Sequence, residues 1–381
     1  MREDAQSFYI LFLQAGLMPA VPMPDIIHID GAHEEGGGQI VRTALALSTL
    51  TGRPFSITDI RKGRSTPGLK MQHLFGIKAL EALCSATSVG AKLGATSLDF
   101  FPKQIKERTV DIDIGTAGSI TLLLQAVLLP CVFAKRPVRM RITGGTDVAW
   151  SMPIDYLKEV YLPHLQKYAE VTVSLQRRGY YPKGGGLVEV AVKPKFTMET
   201  IADAPMINLI RQGDLQNIKG ISHASESLSA RHVAERQALA AKNTLKRLGV
   251  NIGIQTEYGS TLSDGSGMTL FAQYATRDDE IDSANPVRLG ADALGEISVR
   301  AEVIGESAAK KLLGEMDSGA AVDSHLADNL IPLLGLIGGE MKVSKITPHT
   351  KTNMYVTELF LGRRFEVEGN TLRAKLVSGS G

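Results

Sequence analysis

Charge of one sign is what this chain lacks most plainly. Its 42 Lys and Arg stand against 40 Asp and Glu, for a formal net charge of +2. That balance excludes a protein that gathers polyanions by gross electrostatics. Any nucleic-acid contact has to be local, through a few placed Arg and Lys. There are only 2 cysteines. Cys84 and Cys131 both sit in apolar surroundings, as buried thiols of a reducing compartment do, and they exclude a disulfide framework or a Cys/His metal cluster. Aromatic residues make up 6%, so the core is mostly aliphatic. No apolar run is long enough to span a bilayer without a charge or a breaker. Common signatures are missing as well: there is no P-loop and no GxGxxG fingerprint, no Ser/His/Asp or Cys/His arrangement of familiar spacing, and no lysine motif of the KxDG type used by ordinary nucleotidyl transferases.

What is present is an ordinary globular balance, 44% hydrophobic and 22% charged over 381 residues. That length predicts two domains, or one large domain carrying an insertion. Residues 1–24 read as an N-terminal extension, because FYILFLQAGLM follows an acidic rather than a basic segment. From Asp25 onward one pattern recurs three times: a Gly- or Asp/Ser-rich entry, an almost wholly apolar helix, a short turn and a strand. The three are GGGQIVRTALALSTLTGRPFSITDI, GTAGSITLLLQAVLLPCVFAKRPVRMRITGG and DSHLADNLIPLLGLIGGEMKVSKIT. Second helices are read in MQHLFGIKALEALCSAT, DYLKEVYLPHLQKYA and SVRAEVIGESAAKKLLGEM, the first two followed by pairs of strands. The fold class predicted is α+β: three βαβαββ repeats in a large domain, 25–203 and 298–381, with helices inside and sheets outside. A smaller inserted α+β domain is placed at 204–297.

The sharpest local motif is DGAHEEGGGQIVRTAL, Asp30 to Leu45, where a strand meets a glycine-rich turn that opens into a helix. Such a turn aims backbone N–H groups at an anion. Glu34 and Glu35 beside it point to a metal held near phosphate, or to a polar contact with a ribose; a structural turn is the plain alternative. Arg42 falls on an apolar helix, where a charge is costly without a partner or ligand. Arg61, Arg64 and Gln72 follow in IRKGRSTPGLKMQH, and as a set with Arg42 they suit phosphate oxygens. TGGTDVAWSMP and RGYYPKGGG are further glycine-rich loops expected to converge on one cleft. His28, His164, His223 and His232 read as structural, and His73 fits either role. His325 opens an apolar helix beside Asp328 and Asn329. His349, in KITPHTKTN, lies between a proline and small polar residues, away from any apolar face, like a side chain meant to meet a ligand. A histidine is also the best nucleophile available if the chain activates phosphate covalently.

DGAHEEGGGQIVRTALALS, IRKGRSTPGLKMQHL, IGTAGSITLLLQ, GGTD, GYYPKGGG and HLADN…PHTKTN, in this order from about Asp25 onward, resemble the RNA 3′-terminal phosphate cyclase family. The resemblance implies a cytoplasmic enzyme that uses ATP and Mg²⁺ or Mn²⁺ to turn an RNA 3′-phosphate into a 2′,3′-cyclic phosphate. His349 matches the family's nucleophile, which takes up AMP. Glu35 matches an acidic residue near nucleotide and metal. Arg42, Arg61, Arg64 and Gln72 match positions around the phosphates. Asp328, Asn329, His325 and Pro153 match the nucleoside side, with Pro153 under the adenine and His325 where relatives carry a stacking tyrosine. The partners implied are ATP and RNA with a 3′-phosphate end, no membrane, and self-association left open. The rival readings are a non-catalytic RNA-binding or ribosome-assembly relative, which would lack the histidine, and an enolpyruvyl-transferase-like enzyme, which would want basic residues for two carboxylates.

Overall fold

The computed structural model describes residues 25–375, apart from 35, 107, 277–280 and 363–364. Among the described residues the strands form four sheets of four strands each, and three of these sheets share one order. In the first, β1 (Ile27–Asp30) runs parallel to β2 (Phe55–Thr58), β2 pairs antiparallel with β4 (Leu98–Phe101), and β3 (Thr87–Val89) flanks β4. In the second, β5 (Thr109–Asp113), β6 (Val138–Gly144), β7 (Ala169–Arg177) and β8 (Gly186–Pro194) lie in the same sequence, β5-β6-β8-β7. In the third, β9 (Ile207–Leu209) is parallel to β14 (Gly339–Lys342), which pairs with β16 (Thr371–Ala374) and through it with β15 (Phe365–Glu368). A parallel first pair demands a crossover helix, and each sheet has one: α1 (Gln39–Thr51), α3 (Ile120–Val132) and α7 (Ser324–Ile337).

These three helices are apolar nearly all round, so they belong inside. Their residues from Ile40 to Leu47, Leu123 to Val132 and Leu326 to Ile337 dominate the buried core. Each begins where its sequence predicts. The Ser119 side chain accepts from Leu122 N at 3.2 Å, and the Asp323 side chain accepts from His325 N at 3.0 Å and Leu326 N at 2.9 Å, satisfying first-turn donors. The chain leaves α1 at Gly52, whose φ of 70° is open to glycine at little cost.

The second helices are α2 (Met71–Cys84), a composite α4 and, in the third unit, α8 (Pro348–Leu361). In α4 the run Ile154–Tyr156 passes into a π-helical turn, Leu157–Tyr161, and then Leu162–Leu165. The position of α8 corrects the sequence reading, which gave this place to SVRAEVIGESAAKKLLGEM and treated KITPHTKTN as a loop. The reason is visible in α8 itself. Its inner face carries Thr350, Thr352, Asn353 and Thr357 beside Val356 and Phe360, so the apolar period is interrupted by polar residues.

The helix expected there, α6 (Ala301–Asp317), packs instead on α5 (Val233–Leu245) and on β13 (Val287–Leu294). With β10 (Asp214–Ser225), β11 (Asn251–Gly259) and β12 (Ser266–Ala275) they build the fourth sheet, ordered β11-β10-β12-β13. Thus β9, expected in the insert at 204–297, pairs with β14, and α6, expected in the large domain, packs on the fourth sheet.

A buried ionic cluster fastens this insert to the second unit. Arg178 donates to Asp147 at 3.2 Å, to Asp155 at 2.7 Å and to Glu257 of β11 at 2.9 Å. His223 of β10 lies 3.4 Å from Asp147 and 2.8 Å from the Tyr180 hydroxyl. The GGTD and RGYYPKGGG loops therefore do converge, on this junction. The segment 1–24 lies outside the described residues, and no helix among the described residues is long and apolar enough to cross a membrane.

Candidate active site

The site is assembled around the N-terminus of α8. Thr347 caps it: its hydroxyl accepts from Thr350 N at 3.0 Å, and the Thr350 hydroxyl accepts from Thr347 N at 3.1 Å. This is a reciprocal capping box, with Pro348 in the first turn, where its missing N–H costs nothing. His349 is the next residue and is half-buried. Asp328 of α7 fixes the turn by accepting from the Thr347 hydroxyl at 2.8 Å and the Thr350 hydroxyl at 2.7 Å. Burial pushes the Asp328 carboxyl up, and those two hydroxyls together with His349 and His325 oppose the push. Asn353 donates to the Asp328 carbonyl and accepts from Thr43 of α1 at 2.7 Å, while Gln39 donates to the His349 carbonyl at 3.4 Å. The histidine thus stands on a first turn pinned to two neighbouring core helices.

The glycine-rich turn before α1 is tied to the same helix. His33 stacks on Tyr355 with centroids 3.8 Å apart, and Asp30 N donates to the Tyr355 hydroxyl at 3.2 Å. Glu34 has φ 53° and Gly36 φ 56°; Glu35 between them lies outside the described residues.

Behind this turn lies a pocket of cations. Arg42 donates through Nε to Gln125 Oε1 of α3 at 2.7 Å, Gln125 donates to Asn329 Oδ1 of α7 at 2.8 Å, and Asn329 donates to the His325 carbonyl at 2.7 Å. The chain of amides joins all three core helices. Arg42 Nη1 also lies 3.5 Å from His73 Nε2. His73 Nδ1 accepts from Lys70 N at 3.0 Å, so the neutral ring must carry its proton on Nε2. Burial first, then Arg42, Arg61 and Lys70, hold the His73 ring well below the ordinary histidine range. The pocket therefore presents two donors side by side, Arg42 and His73. Gly38 makes this possible, since a Cβ there would sit 2.1 Å from His73 Nε2.

Arg61 adds to the excess. Its backbone is left-handed at φ 58° and its Nη2 donates to the Thr66 carbonyl at 3.3 Å, but its Nε is buried without a hydrogen-bond partner. Burial and then Arg64 push its guanidinium down, and burial and then Arg61 lower Arg42 to about 10. No carboxylate among the described residues pairs with Arg42 or Arg61. A cluster of desolvated cations without counter-charge is stabilised by an anion with several acceptor oxygens.

Of the residues expected from sequence, the structure joins Arg42, Asn329 and the His325 carbonyl in one chain of hydrogen bonds, and the neighbouring Asp328 holds the turn that bears His349. Arg61 is near enough to lower both Arg42 and His73, and Arg64 near enough to lower Arg61. Gln72 lies half-buried in the first turn of α2, beside His73. Pro153 is buried at the start of α4, and three residues on, Tyr156 meets the exposed His325 edge-on at 6.4 Å. The Tyr156 hydroxyl donates to Asp323, whose carboxyl burial raises to about 6. Sequence reasoning missed Gln125 and left His73 undecided. Gln125 did carry a signal, as a lone amide deep in the apolar run ITLLLQAVLLPCV. As for a metal, Asp328 receives the Thr347 and Thr350 hydroxyls on Oδ1 alone. The convergent set Asp147, Asp155 and His223, within 4.8 Å, is held by Arg178 instead.

A half-buried histidine on a pinned helix terminus and a cluster of buried cations in the same core suit an enzyme that handles phosphate. Comparison with known proteins gives the lineage. The family model described as RNA 3′-terminal phosphate cyclase matches residues 33–367. A Pyrococcus abyssi protein named RNA 3′-terminal phosphate cyclase is 46% identical over 346 residues, covering 90% of this chain and 96% of the relative. Proteins of the same name from Archaeoglobus fulgidus, 42% identical over 353 residues with 92% and 100% coverage, and Staphylothermus marinus, 43% over 356 residues with 91% and 95%, match as well. The chain belongs to the RNA 3′-terminal phosphate cyclase family, and it is an enzyme of that family.

Proposed function

We propose that the enzyme converts an RNA 3′-terminal phosphate to a 2′,3′-cyclic phosphate at the expense of ATP, with His349 as the covalent carrier of AMP. The observation that carries this reading is the placement of His349 on the first turn of α8, fixed through Asp328 to the helix whose next residue, Asn329, leads by way of Gln125 to Arg42.

In the first step a ring nitrogen of His349 attacks the α-phosphorus of ATP, an N–P bond forms and pyrophosphate leaves. Arg42, His73, Arg61, Arg64 and Gln72 hold phosphate oxygens. The two unopposed donors of Arg42 and His73 are worth most where charge grows on the leaving oxygens. In the second step an oxygen of the RNA 3′-phosphate attacks the same phosphorus, the N–P bond breaks and the ring is released. In the third the RNA 2′-oxygen attacks the activated 3′-phosphorus, its proton passes to solvent and AMP departs. Asp328 and the two threonines keep the ring aimed, while Asn329, His325 and Pro153 line the nucleoside side. Mg²⁺ or Mn²⁺ carried on the ATP phosphates would neutralise their charge, with Glu35 the carboxylate assigned to it.

The test is incubation with Mg²⁺ and ATP labelled at the α-phosphate, then denaturation. An acid-labile, alkali-stable label that disappears in His349→Asn is expected. A label retained in that variant, or ATP left intact by the wild type, would sink the reading.

A further inference from the structure

Trp150 is the one tryptophan of the chain, and it is 97% exposed. Its backbone is left-handed, with φ 66°, which is a strained conformation for a bulky side chain. The strain is imposed by well-fixed neighbours. The Ser151 hydroxyl donates to the Val148 carbonyl at 2.9 Å, Thr121 of α3 donates to the Met152 carbonyl at 2.7 Å, and Ile154 N donates to the Thr146 carbonyl at 3.1 Å. The loop is therefore not loose. It is anchored on both sides of Trp150 and holds the indole out in water, at a cost in backbone strain and in unburied apolar surface.

The anchor also gives the location. Thr121 lies one turn, about 6 Å, before Gln125 on α3, and Gln125 is the amide that bonds both Arg42 and Asn329. The loop that carries the indole is therefore tied to the helix that supplies Gln125, and it leads three residues on to Pro153.

We propose that Trp150 is a stacking platform for a nucleobase adjoining the 3′-phosphate end of the RNA. The pocket supplies charge for phosphates, and Asn329, His325 and Pro153 are assigned to the nucleoside of ATP, so a base of the RNA still lacks a partner. An exposed indole supplies a flat apolar face that any base can cover, so it adds affinity without sequence preference. The proposal rests on the cyclase reading of the same site, and the test separates the two.

Because the chain has one tryptophan, its fluorescence reports this side chain alone. Titration with a short RNA ending in a 3′-phosphate, without ATP, is expected to quench the emission to saturation. Trp150→Ala is expected to raise the KM for RNA cyclisation about 5- to 100-fold with kcat moved little, and Trp150→Phe to restore most of the affinity. Quenching by ATP alone, in place of RNA, would assign the platform to the nucleotide and overturn the proposal. So would emission indifferent to RNA together with an unchanged KM in Trp150→Ala. Labelling of His349 is assayed in parallel on the wild type. Quenching by RNA without that label leaves the platform standing and removes the cyclase chemistry.

Discussion

Arg42 Nη1 and His73 Nε2 face each other at 3.5 Å, and both are donors. Such a pair is costly in the empty protein and is relieved by an oxyanion placed between them. Inorganic phosphate or sulfate is therefore expected to raise the melting temperature, with a shift that grows as the logarithm of anion concentration. In Arg42→Ala the shift is lost, and the KM for ATP rises at least tenfold. A full shift in that variant would place the anion elsewhere.

Gly38→Ala tests the same pair from the backbone. The added Cβ would meet His73 Nε2 at 2.1 Å, so the imidazole must turn away and its donor is lost. Adenylation of His349 is expected to fall by one to two orders of magnitude, with the circular dichroism spectrum unchanged. Wild-type rates would mean that His73 does not touch phosphate.

Thr347 caps α8 and shares Asp328 with Thr350. Removing the cap in Thr347→Ala costs about 1 kcal/mol of stability, measured by urea denaturation. The rate of adenylation is expected to fall further than that loss accounts for, because the first turn also aims His349. A loss confined to stability would make the cap merely structural.

Arg178→Ala leaves Asp147 and Asp155 buried without their counter-charge. A destabilisation of about 3–5 kcal/mol is expected in chemical denaturation. It should appear as a separate early transition of the insert if the cluster is what joins the two parts.

Acid should weaken the fold through three buried histidines. Burial depresses His73 and His223 well below the ordinary value of 6.5, and His164 to about 3. The unfolded chain takes up these protons first. Stability is thus present above pH 6.5 and declines as pH falls below it, by about 1.4 kcal/mol per pH unit for each histidine. Asp323, raised to about 6, works the other way over the window from 3.8 to 6: its contribution is present at low pH and is lost as pH rises. Urea denaturation from pH 7 to 5 should show the decline, and His164→Gln should reduce its slope by about one proton. An unchanged slope would contradict the assignment.

Much of this was legible in the sequence because it rests on local rules. The apolar helices α1, α3 and α7 show themselves by composition, and the arginines of IRKGRSTPG by a charge set in a glycine loop. Two features were not legible. The helix α8 is written in threonines that bury hydroxyls, so its period is hidden until Asp328 is seen to accept from two of them. Gln125 and His73 owe their meaning to Arg42, a partner on another helix, and a spacing along one segment does not reveal such a relation. The place of β9 was hidden for a similar reason: its partner β14 lies far along the chain, and nothing in its own segment shows that pairing.

The pairing of β9 with β14 also sets an order of assembly. Both strands of each earlier parallel pair lie close along the chain, whereas Leu209 waits for Met341, with the whole insert in between. Closing so long a loop is slow and entropically costly unless the intervening chain is already compact. The insert must therefore collapse on itself before the third sheet can form. The helix that carries His349 follows the insert along the chain and so docks only after it. Two of the three units can thus be complete while the first turn of α8 has no place to dock.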